Sequence, residues 1–200
     1  MPIRLGAQIK DTDWPALVST LKEIMRRGTD GTIDKVVKHI LANTADSAAI
    51  ASTTDETNFS LNASLSTTQY YPGRIFKLSA SGVYSTTGTP TLTFRVRIGS
   101  TSMVLFTAKT GTNNASNQSW RIEATLICRT TGATGTVMAL GTLFINTAAG
   151  VDTVETVVNN AATTVDTTVV QSLQVSLDWS ANSASNTATM KDFLVELSDY

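Results

Sequence analysis

The amino-acid sequence predicts a mainly β protein, an antiparallel sandwich of eight or nine strands preceded by a short helical region. The first observation is an alternation of apolar and polar residues, which places side chains on opposite faces of a strand. In the clearest alternating run, one parity is occupied by Val169, Gln171, Leu173, Val175, Leu177 and Trp179. The second observation is that such runs follow one another from Ser52 onwards, separated by turns rich in Thr, Ser, Asn and Gly.

Nine segments beyond the first fifty residues carry this alternation and are predicted strands. They span residues 58–65, 74–84, 91–98, 103–108, 119–129, 136–146, 152–158, 167–179 and 187–197. Their spacing, with no long helix between them, is typical of a sandwich or barrel. The parity of the largest side chains places Phe94, Trp120 and Trp179 in the core.

The first fifty residues have a helical period and are predicted to form an anchor, residues 1–50, ahead of a β head at residues 51–200. Apolar side chains recur every three or four residues in two short segments, the second at about residues 32–43. Helices this short are not stable alone in water, so their apolar stripes are expected to pack on a partner. The residues predicted to do so are Trp14, Leu17, Leu21, Ile24, Val36, Val37 and Ile40.

Composition argues against several kinds of partner. Charged residues make up only 16% of the chain and the formal net charge is -1, so the Lys/Arg surplus that nucleic-acid binding requires is missing. Polarity comes instead from hydroxyl groups, since the chain has 34 Thr and 19 Ser. No apolar run has the length of a membrane span or of a signal peptide. We therefore expect no membrane partner and synthesis in the cytoplasm without a secretion signal.

The sequence offers no combination of residues for catalysis or for a cofactor. One His and one Cys are too few for a zinc site, and His39 has no Ser or Cys motif beside it. The acidic residues of the predicted strands fall on outward positions, although two carboxylates that meet in space would suit glycoside hydrolysis. We predict no enzyme activity, no metal and no cofactor. A glycan-active enzyme is the alternative, and an assay of polysaccharide cleavage would detect it.

Two predicted strands are apolar on both faces. The strand at residues 136–146 has Val137 and Leu143 on one side and Leu140 and Phe144 on the other. A lone sandwich exposes one face of each strand to water, so a second apolar face indicates that several copies pack together. We predict that Leu140 and Phe144 lie between subunits.

A pair of aromatic residues, Tyr70 and Tyr71, precedes Pro72-Gly73 in a predicted loop. They are the best exposed candidates for stacking against a glycan, because an aromatic face binds the apolar face of a sugar ring. Packing of the turn itself is the alternative explanation. The tryptophans of the strands have core parity and are not available for such a contact.

Five short motifs occur in order along residues 57–197. They are 71–74 (YPGR), 92–99 (LTFRVRIG), 119–124 (SWRIEA), 128–136 (CRTTGATGT) and 179–187 (WSANSASNT). On these motifs the region resembles a domain that recurs in virion proteins of tailed bacteriophages. The resemblance implies a jelly-roll fold, often trimeric, of the kind used in phage fibres, spikes and capsid decorations. It supplies no catalytic residue and does not extend to the first fifty residues.

The resemblance and the predicted anchor together predict a structural component of a bacteriophage particle, exposed at the virion surface. The expected form is a homotrimeric capsid decoration (cement) or head-spike protein. Its anchor would dock on other virion proteins, above all the major capsid protein. The alternative is a tail-fibre tip or receptor-binding protein whose loops recognise host surface glycans. A low-resolution map of the particle in which this chain is located would separate the two.

Overall fold

The structure, a computed structural model, describes residues 38–148 and 151–198. These residues form thirteen strands and one short 3-10 helix, Thr67–Gln69. The strands are β1 (Lys38–Ala42), β2 (Ile50–Ala51), β3 (Thr57–Leu65), β4 (Ile75–Ser85), β5 (Thr91–Ile98), β6 (Thr101–Leu105), β7 (Lys109–Thr110), β8 (Gln118–Thr130), β9 (Gly135–Ala148), β10 (Val151–Val158), β11 (Thr163–Val165), β12 (Gln171–Trp179) and β13 (Thr187–Ser198).

The strands form two antiparallel sheets that pack face to face. The larger sheet has the order β1-β13-β4-β8-β9-β10, with β2 beside β13 and β11 beside β9; the smaller has the order β3-β12-β5-β6, with β7 beside β5. Along β1, β3, β4, β5, β6, β8, β12 and β13 the chain changes sheet at every step except β5–β6. This is the order of a jelly roll. The predicted antiparallel jelly-roll sandwich is confirmed.

A hairpin, β9–β10, is inserted between the sixth and seventh strands of this jelly roll. It pairs with β8 and so extends the larger sheet by two strands beyond the four jelly-roll strands that it contains, β1, β13, β4 and β8. The insertion ends at β10, and among the described residues no further strand pairs with the outer edge of β10. The hairpin therefore adds an outer face and a sheet edge, that of β10, which the jelly roll alone does not have.

The predicted second helix is wrong where the structure describes it. Lys38–Ala42 is a strand that pairs with β13, and Ile40 packs against the core from this strand instead of lying on a helical stripe. The reason is that the ladder with β13 supplies the backbone hydrogen bonds that a short isolated helix would have to make alone. The other predicted anchor residues lie outside the described residues: Trp14, Leu17, Leu21, Ile24, Val36 and Val37.

All nine predicted strands are present, but one of them begins later than expected. The run from residue 167 becomes a strand only at Gln171, and Val169 and Val170 are exposed in the preceding loop. From Leu173 to Trp179 the odd-numbered side chains are buried, as the alternation predicts. Strands β1, β2, β7 and β11 were not predicted, because segments of two to five residues carry too little alternation.

Aromatic rings hold the two sheets together. Phe94, Trp120 and Trp179 are buried, as predicted, and Cys128 is buried with them. The Trp120 ring lies 4.9 Å from the Phe94 ring and 5.4 Å from the Phe59 ring, measured between centroids. Because Trp120 comes from the larger sheet and both phenylalanines from the smaller, these contacts fix the separation of the sheets.

The described chain enters and leaves the sandwich at one end. Lys38 of β1 pairs with Leu197 near the end of β13, and Ser198 pairs with Ile75 at the start of β4. Residue 37 is bonded to Lys38, so the preceding chain attaches to the head at this end, called here the attachment end. The loops at 86–90, 111–117 and 180–186 lie at the opposite end, about 35 Å away along β4 at about 3.3 Å per residue.

Candidate assembly surface

Four apolar side chains are exposed on the outer face of the inserted hairpin. Leu140 and Phe144 of β9 are 40% and 37% exposed, and Val154 and Val158 of β10 are 57% and 62% exposed. The register places Phe144 opposite Val154 and Leu140 opposite Val158. The four therefore form two cross-strand pairs on one face, with the Thr142–Thr156 pair between them. We call this set, Leu140, Phe144, Val154 and Val158, the apolar ridge.

Packing beneath β9 fixes the direction in which the apolar ridge points. Leu143 and Ile145 are buried between the sheets, so the pleat turns Phe144 outwards. At Gly141, an added Cβ would lie 2.8 Å from Val104 Cγ1, so the backbone of β9 lies directly against β6. Within the ridge, the hydroxyl groups of Thr142 and Thr156 lie 3.1 Å apart in a hydrogen bond that ties the two strands.

The rest of this outer face is mainly polar. Arg121 and Glu123 of β8 form an exposed ion pair beside the ridge. Further from it, Lys77 of β4 is exposed opposite the half-buried Glu196 of β13, and Lys191 pairs with Asp46 at 2.5 Å. The outer face is thus asymmetric, with apolar side chains at the β10 margin and charged side chains towards β13.

Two grooves run beside the ridge. The larger, of about 570 Å³, is lined by the short side chains of Ser81 and Ser119. It is also lined by Phe144 and Val154 of the ridge and by Arg121, Lys191 and Asp152. A smaller groove of about 390 Å³ lies next to Leu140 and Thr142. We call the larger one the ridge groove.

Glu155 fastens β10 to the segment between β6 and β7. Its carboxylate accepts hydrogen bonds from the Thr107 backbone N–H at 3.1 Å and from the Thr107 hydroxyl at 3.0 Å, and it pairs with Lys109 Nζ at 2.8 Å. Partial burial raises the pKa of Glu155, but the hydrogen bonds and the charge of Lys109 outweigh it and lower that pKa below its ordinary value. The inserted hairpin is therefore tied to both sheets.

The intersubunit candidates predicted from the sequence, Leu140 and Phe144, are half of the ridge. Val154 and Val158 were missed because the run at residues 152–158 was interpreted only as a strand. The sequence does contain evidence for them: the two valines lie four residues apart with Thr156 between them, so they share one face of the strand. Whether these side chains lie between subunits stays a prediction.

The two tyrosines predicted to contact a glycan have different surroundings. Tyr70 is only 5% exposed and its ring lies 5.3 Å from the Phe76 ring, so the prediction of an exposed Tyr70 is wrong. The prediction fails because the loop after β3 folds the Tyr70 ring inwards to cover the core. This burial, with Cys128 nearby, raises the pKa of Tyr70. Tyr71 is half-buried, and the Arg74 guanidinium lies 4.1 Å from the centre of its ring.

The outer face of the smaller sheet has a different chemistry. Glu56 pairs with Arg97 and with Arg95 Nη1 at 3.4 Å, and it accepts a hydrogen bond from Ser176 Oγ at 2.5 Å. Partial burial raises the pKa of Glu56, but the bonds from Ser176 and Arg97 and the charge of Arg95 outweigh it and lower that pKa. Around this cluster the outward residues are Asn58, Ser60, Asn62, Ser64, Thr93, Ser172 and Gln174.

Within residues 38–148 and 151–198, no three His, Cys, Asp or Glu side chains come together as metal ligands would. The same residues contain no helix with the length and apolarity to span a membrane. The acidic residues predicted to face outwards from the strands, among them Glu123 and Asp192, do so.

Comparisons with known proteins add little to this geometry. No family model matches the chain, and no curated protein is significantly similar to it in sequence. Among solved structures, the chain is similar to the CBM2 module of Lactobacillus casei BL23 phage J-1 evolved Dit. The TM-score is 0.40 at 7% sequence identity, over 83% of this chain and 98% of that chain. A similarity at this level carries no argument about function.

Proposed function

We propose that this chain is a structural component of a bacteriophage particle, a homotrimeric capsid decoration or head-spike protein. Residues 1–36 hold the particle, above all its major capsid protein, and the jelly-roll head is displayed at the virion surface. The proposal combines the sequence resemblance with the difference between the two ends of the head. The observation that carries it is that the chain joins the head at one end, while three uncharged loops lie at the other.

The difference between the two ends of the head suits display at a particle surface. A protein that decorates a shell needs one end for attachment and a rigid body that resists unfolding outside the cell. Here the preceding chain attaches beside Ile75, and the body beyond it is a single sandwich with one continuous core. The ridge on the side of this body leaves both ends free when copies pack side by side.

A second candidate function, recognition of host surface glycans by a tail-fibre tip, is favoured by the loops opposite the attachment end. The loops at 86–90, 111–117 and 180–186 contain no charged residue. Thr86 Oγ1 donates a hydrogen bond to the Thr112 carbonyl, and Asn186 Oδ1 accepts one from the Thr87 N–H at 2.9 Å. Both side chains are buried, so these bonds hold the loops in place, and less ordering entropy is lost when the exposed hydroxyl and amide groups of the loops bind a neutral polar ligand.

Attachment to particles tests the first proposal. The full chain and a shortened chain of residues 37–200 are mixed with particles that lack this protein and then sedimented. The shortened chain keeps β1, β2 and the described core, so circular dichroism should show an intact β spectrum. We expect only the full chain to co-sediment with the particles. Full decoration by the shortened chain would show that residues 1–36 are not the anchor.

Point variants of the full chain separate anchor from head. Leu21→Asp lies in the predicted anchor stripe and should abolish co-sedimentation with particles. Its matched control, Val170→Asp, introduces the same charge at an exposed valine of the head and should leave co-sedimentation unchanged.

Binding to host cells tests the second candidate. Asn113→Lys together with Asn182→Lys places charges on two of the neutral loops, and Asn62→Lys on the smaller sheet is the control. If the full chain binds cells and only the loop variant loses binding, the receptor-binding function replaces decoration.

A further inference from the structure

We infer that β10 is a detachable strand: it separates from β9 as one unit while the jelly roll stays folded, and the Glu155 carboxylate holds it in place. Because β10 carries Val154 and Val158, the apolar ridge is complete only while the strand is attached. The inference concerns the folded head itself and does not rest on the proposed place of this chain in a particle.

The inner face of β10 contributes little to the apolar core. Thr153, Glu155 and Val157 share this face and are half-buried, and of these three only Val157 packs against the core. The inner face of β9 carries Leu143 and Ile145, which are both buried. Since burial of apolar side chains is the main favourable contribution to folding, the core holds β10 much less strongly than it holds β9.

β10 also has a neighbouring strand on only one side. It pairs with β9 over residues 152–158, and no strand of the described chain pairs with its other edge. β9 has β10 on one side and β8 on the other. A segment with few buried apolar contacts opens at a lower free energy than the core strands do. Separation of β10 therefore leaves β9 paired with β8 and the jelly roll complete.

Ionic and hydrogen bonds of Glu155 supply what the core does not. Its carboxylate accepts bonds from the N–H and the hydroxyl of Thr107 and pairs with Lys109 of β7, so it joins β10 to the smaller sheet. We call these bonds the Glu155 clasp. Within the part of the chain that the structure describes, this is the one ion pair of β10. Hydrogen bonds to an ionised group are roughly twice as strong as neutral ones, so the clasp is the strongest side-chain tie of this strand.

The detachable segment ends at Asn159. The Asn159 N–H donates a hydrogen bond to the Ala139 carbonyl at 3.1 Å, and its side-chain amide donates one to the Met103 carbonyl at 2.8 Å. Four residues later, β11 begins at Thr163 and pairs with the start of β9. These bonds hold the following chain when β10 separates, so the unit that opens is residues 152–158.

The clasp requires an ionised carboxylate. Among the charged side chains of the described residues, Lys109 is the one that pairs with Glu155, and the residue opposite on β9 is the uncharged Leu143. Partial burial raises the pKa of Glu155, but the bonds from Lys109 and Thr107 outweigh it and lower that pKa. The clasp is therefore present above the unfolded-state value of about 4.3 and is lost as pH falls through the lower folded-state pKa. We expect acid to release β10 before the core unfolds.

Amide hydrogen exchange of the full chain, read by mass spectrometry of proteolytic fragments, tests this inference. Glu155→Gln removes the charge and keeps the size of the side chain. At neutral pH, the protection of β10 should fall about tenfold, which corresponds to about 1.4 kcal/mol, while that of β4 and β8 stays unchanged. Glu123→Gln is the matched control: this glutamate of β8 pairs with Arg121 at the surface, so its loss should leave the protection of β10 unchanged.

A second measurement lowers the pH of the wild type, with each exchange rate divided by that of an unstructured peptide at the same pH. β10 should lose protection relative to β8 as pH falls through the folded-state pKa of Glu155, and Glu155→Gln should show no such step. An equal loss in β10 and β8 would show that the strands open together and would overturn the detachable strand. Unchanged protection of β10 in Glu155→Gln would overturn the role of the clasp.

Discussion

The outer faces of the two sheets have the same backbone geometry and opposite chemistry. On the hairpin β9–β10 the outward positions hold the Leu, Phe and Val of the ridge, separated by threonines. On β3, β12 and β5 they hold Asn, Ser, Thr and Gln around the Glu56–Arg95–Arg97 cluster. A sandwich needs only its inner faces to be apolar. The outer face of the smaller sheet is therefore polar, whereas that of the inserted hairpin is apolar beyond what the core of the sandwich requires.

The largest difference in the free energy of unfolding is expected between substitutions on the two faces of β9. Leu143 is fully buried and Phe144 beside it belongs to the ridge. Leu143→Ala should lower the free energy of unfolding by about 2–5 kcal/mol, because it leaves a cavity in the core. Phe144→Ala should lower it by less than about 1 kcal/mol in a monomer, since the ring is already partly in water. Denaturant unfolding of both variants, at a concentration where light scattering gives a single copy, separates folding from assembly, and similar losses for both variants would contradict the assignment of faces.

The strand pattern was predictable because period-two alternation reports which face is buried, and long strands such as β8 and β9 repeat it many times. The jelly-roll order was predictable only from the motif resemblance, because strand pairing depends on contacts that are distant in sequence. Ile40 was misplaced because its surroundings in sequence suit a helix, while its partner, the β13 ladder, lies about 155 residues away. Tyr70 was misplaced because a tyrosine before Pro-Gly has the sequence of an exposed turn, and only the tertiary fold shows the core beneath it.

The next prediction concerns the polar face and its dependence on pH. At neutral pH, Glu56→Gln should lower the free energy of unfolding by about 1 kcal/mol, because two arginines lose a charged partner. The folded state lowers the pKa of Glu56, so this stabilisation is present above the unfolded-state value of about 4.3 and is lost as pH falls through the lower folded-state pKa. The wild type and the variant should therefore converge in stability once the pH falls below the folded-state pKa of Glu56, measured by urea unfolding across the pH range.

Glu56→Gln should not change the oligomeric state. Glu56→Gln alters only the smaller sheet, so its mass by light scattering should equal that of the wild type. Dissociation of this variant would place the assembly surface on the polar face and reverse the comparison. Glu123→Gln is the control within the larger sheet: its pair with Arg121 is about half exposed, and its stability should change by less than about 0.5 kcal/mol.

The smallest change in the free energy of unfolding is expected from a rise in salt concentration. Raising the ionic strength from 0.05 M to 1 M shortens the screening length from more than 10 Å to about 3 Å, which weakens partly exposed ion pairs such as Arg95–Glu56. The loss of stability should be a few tenths of a kcal/mol, and it should be absent from Glu56→Gln. An apolar contact responds in the opposite direction when the salt is a sulfate, because excluded salts strengthen the burial of apolar surface. Sodium sulfate should therefore leave the wild-type mass unchanged. If the wild type dissociates as salt rises, the copies are held by charges, and the charged side chains on the outer face of the larger sheet carry the contact in place of the ridge.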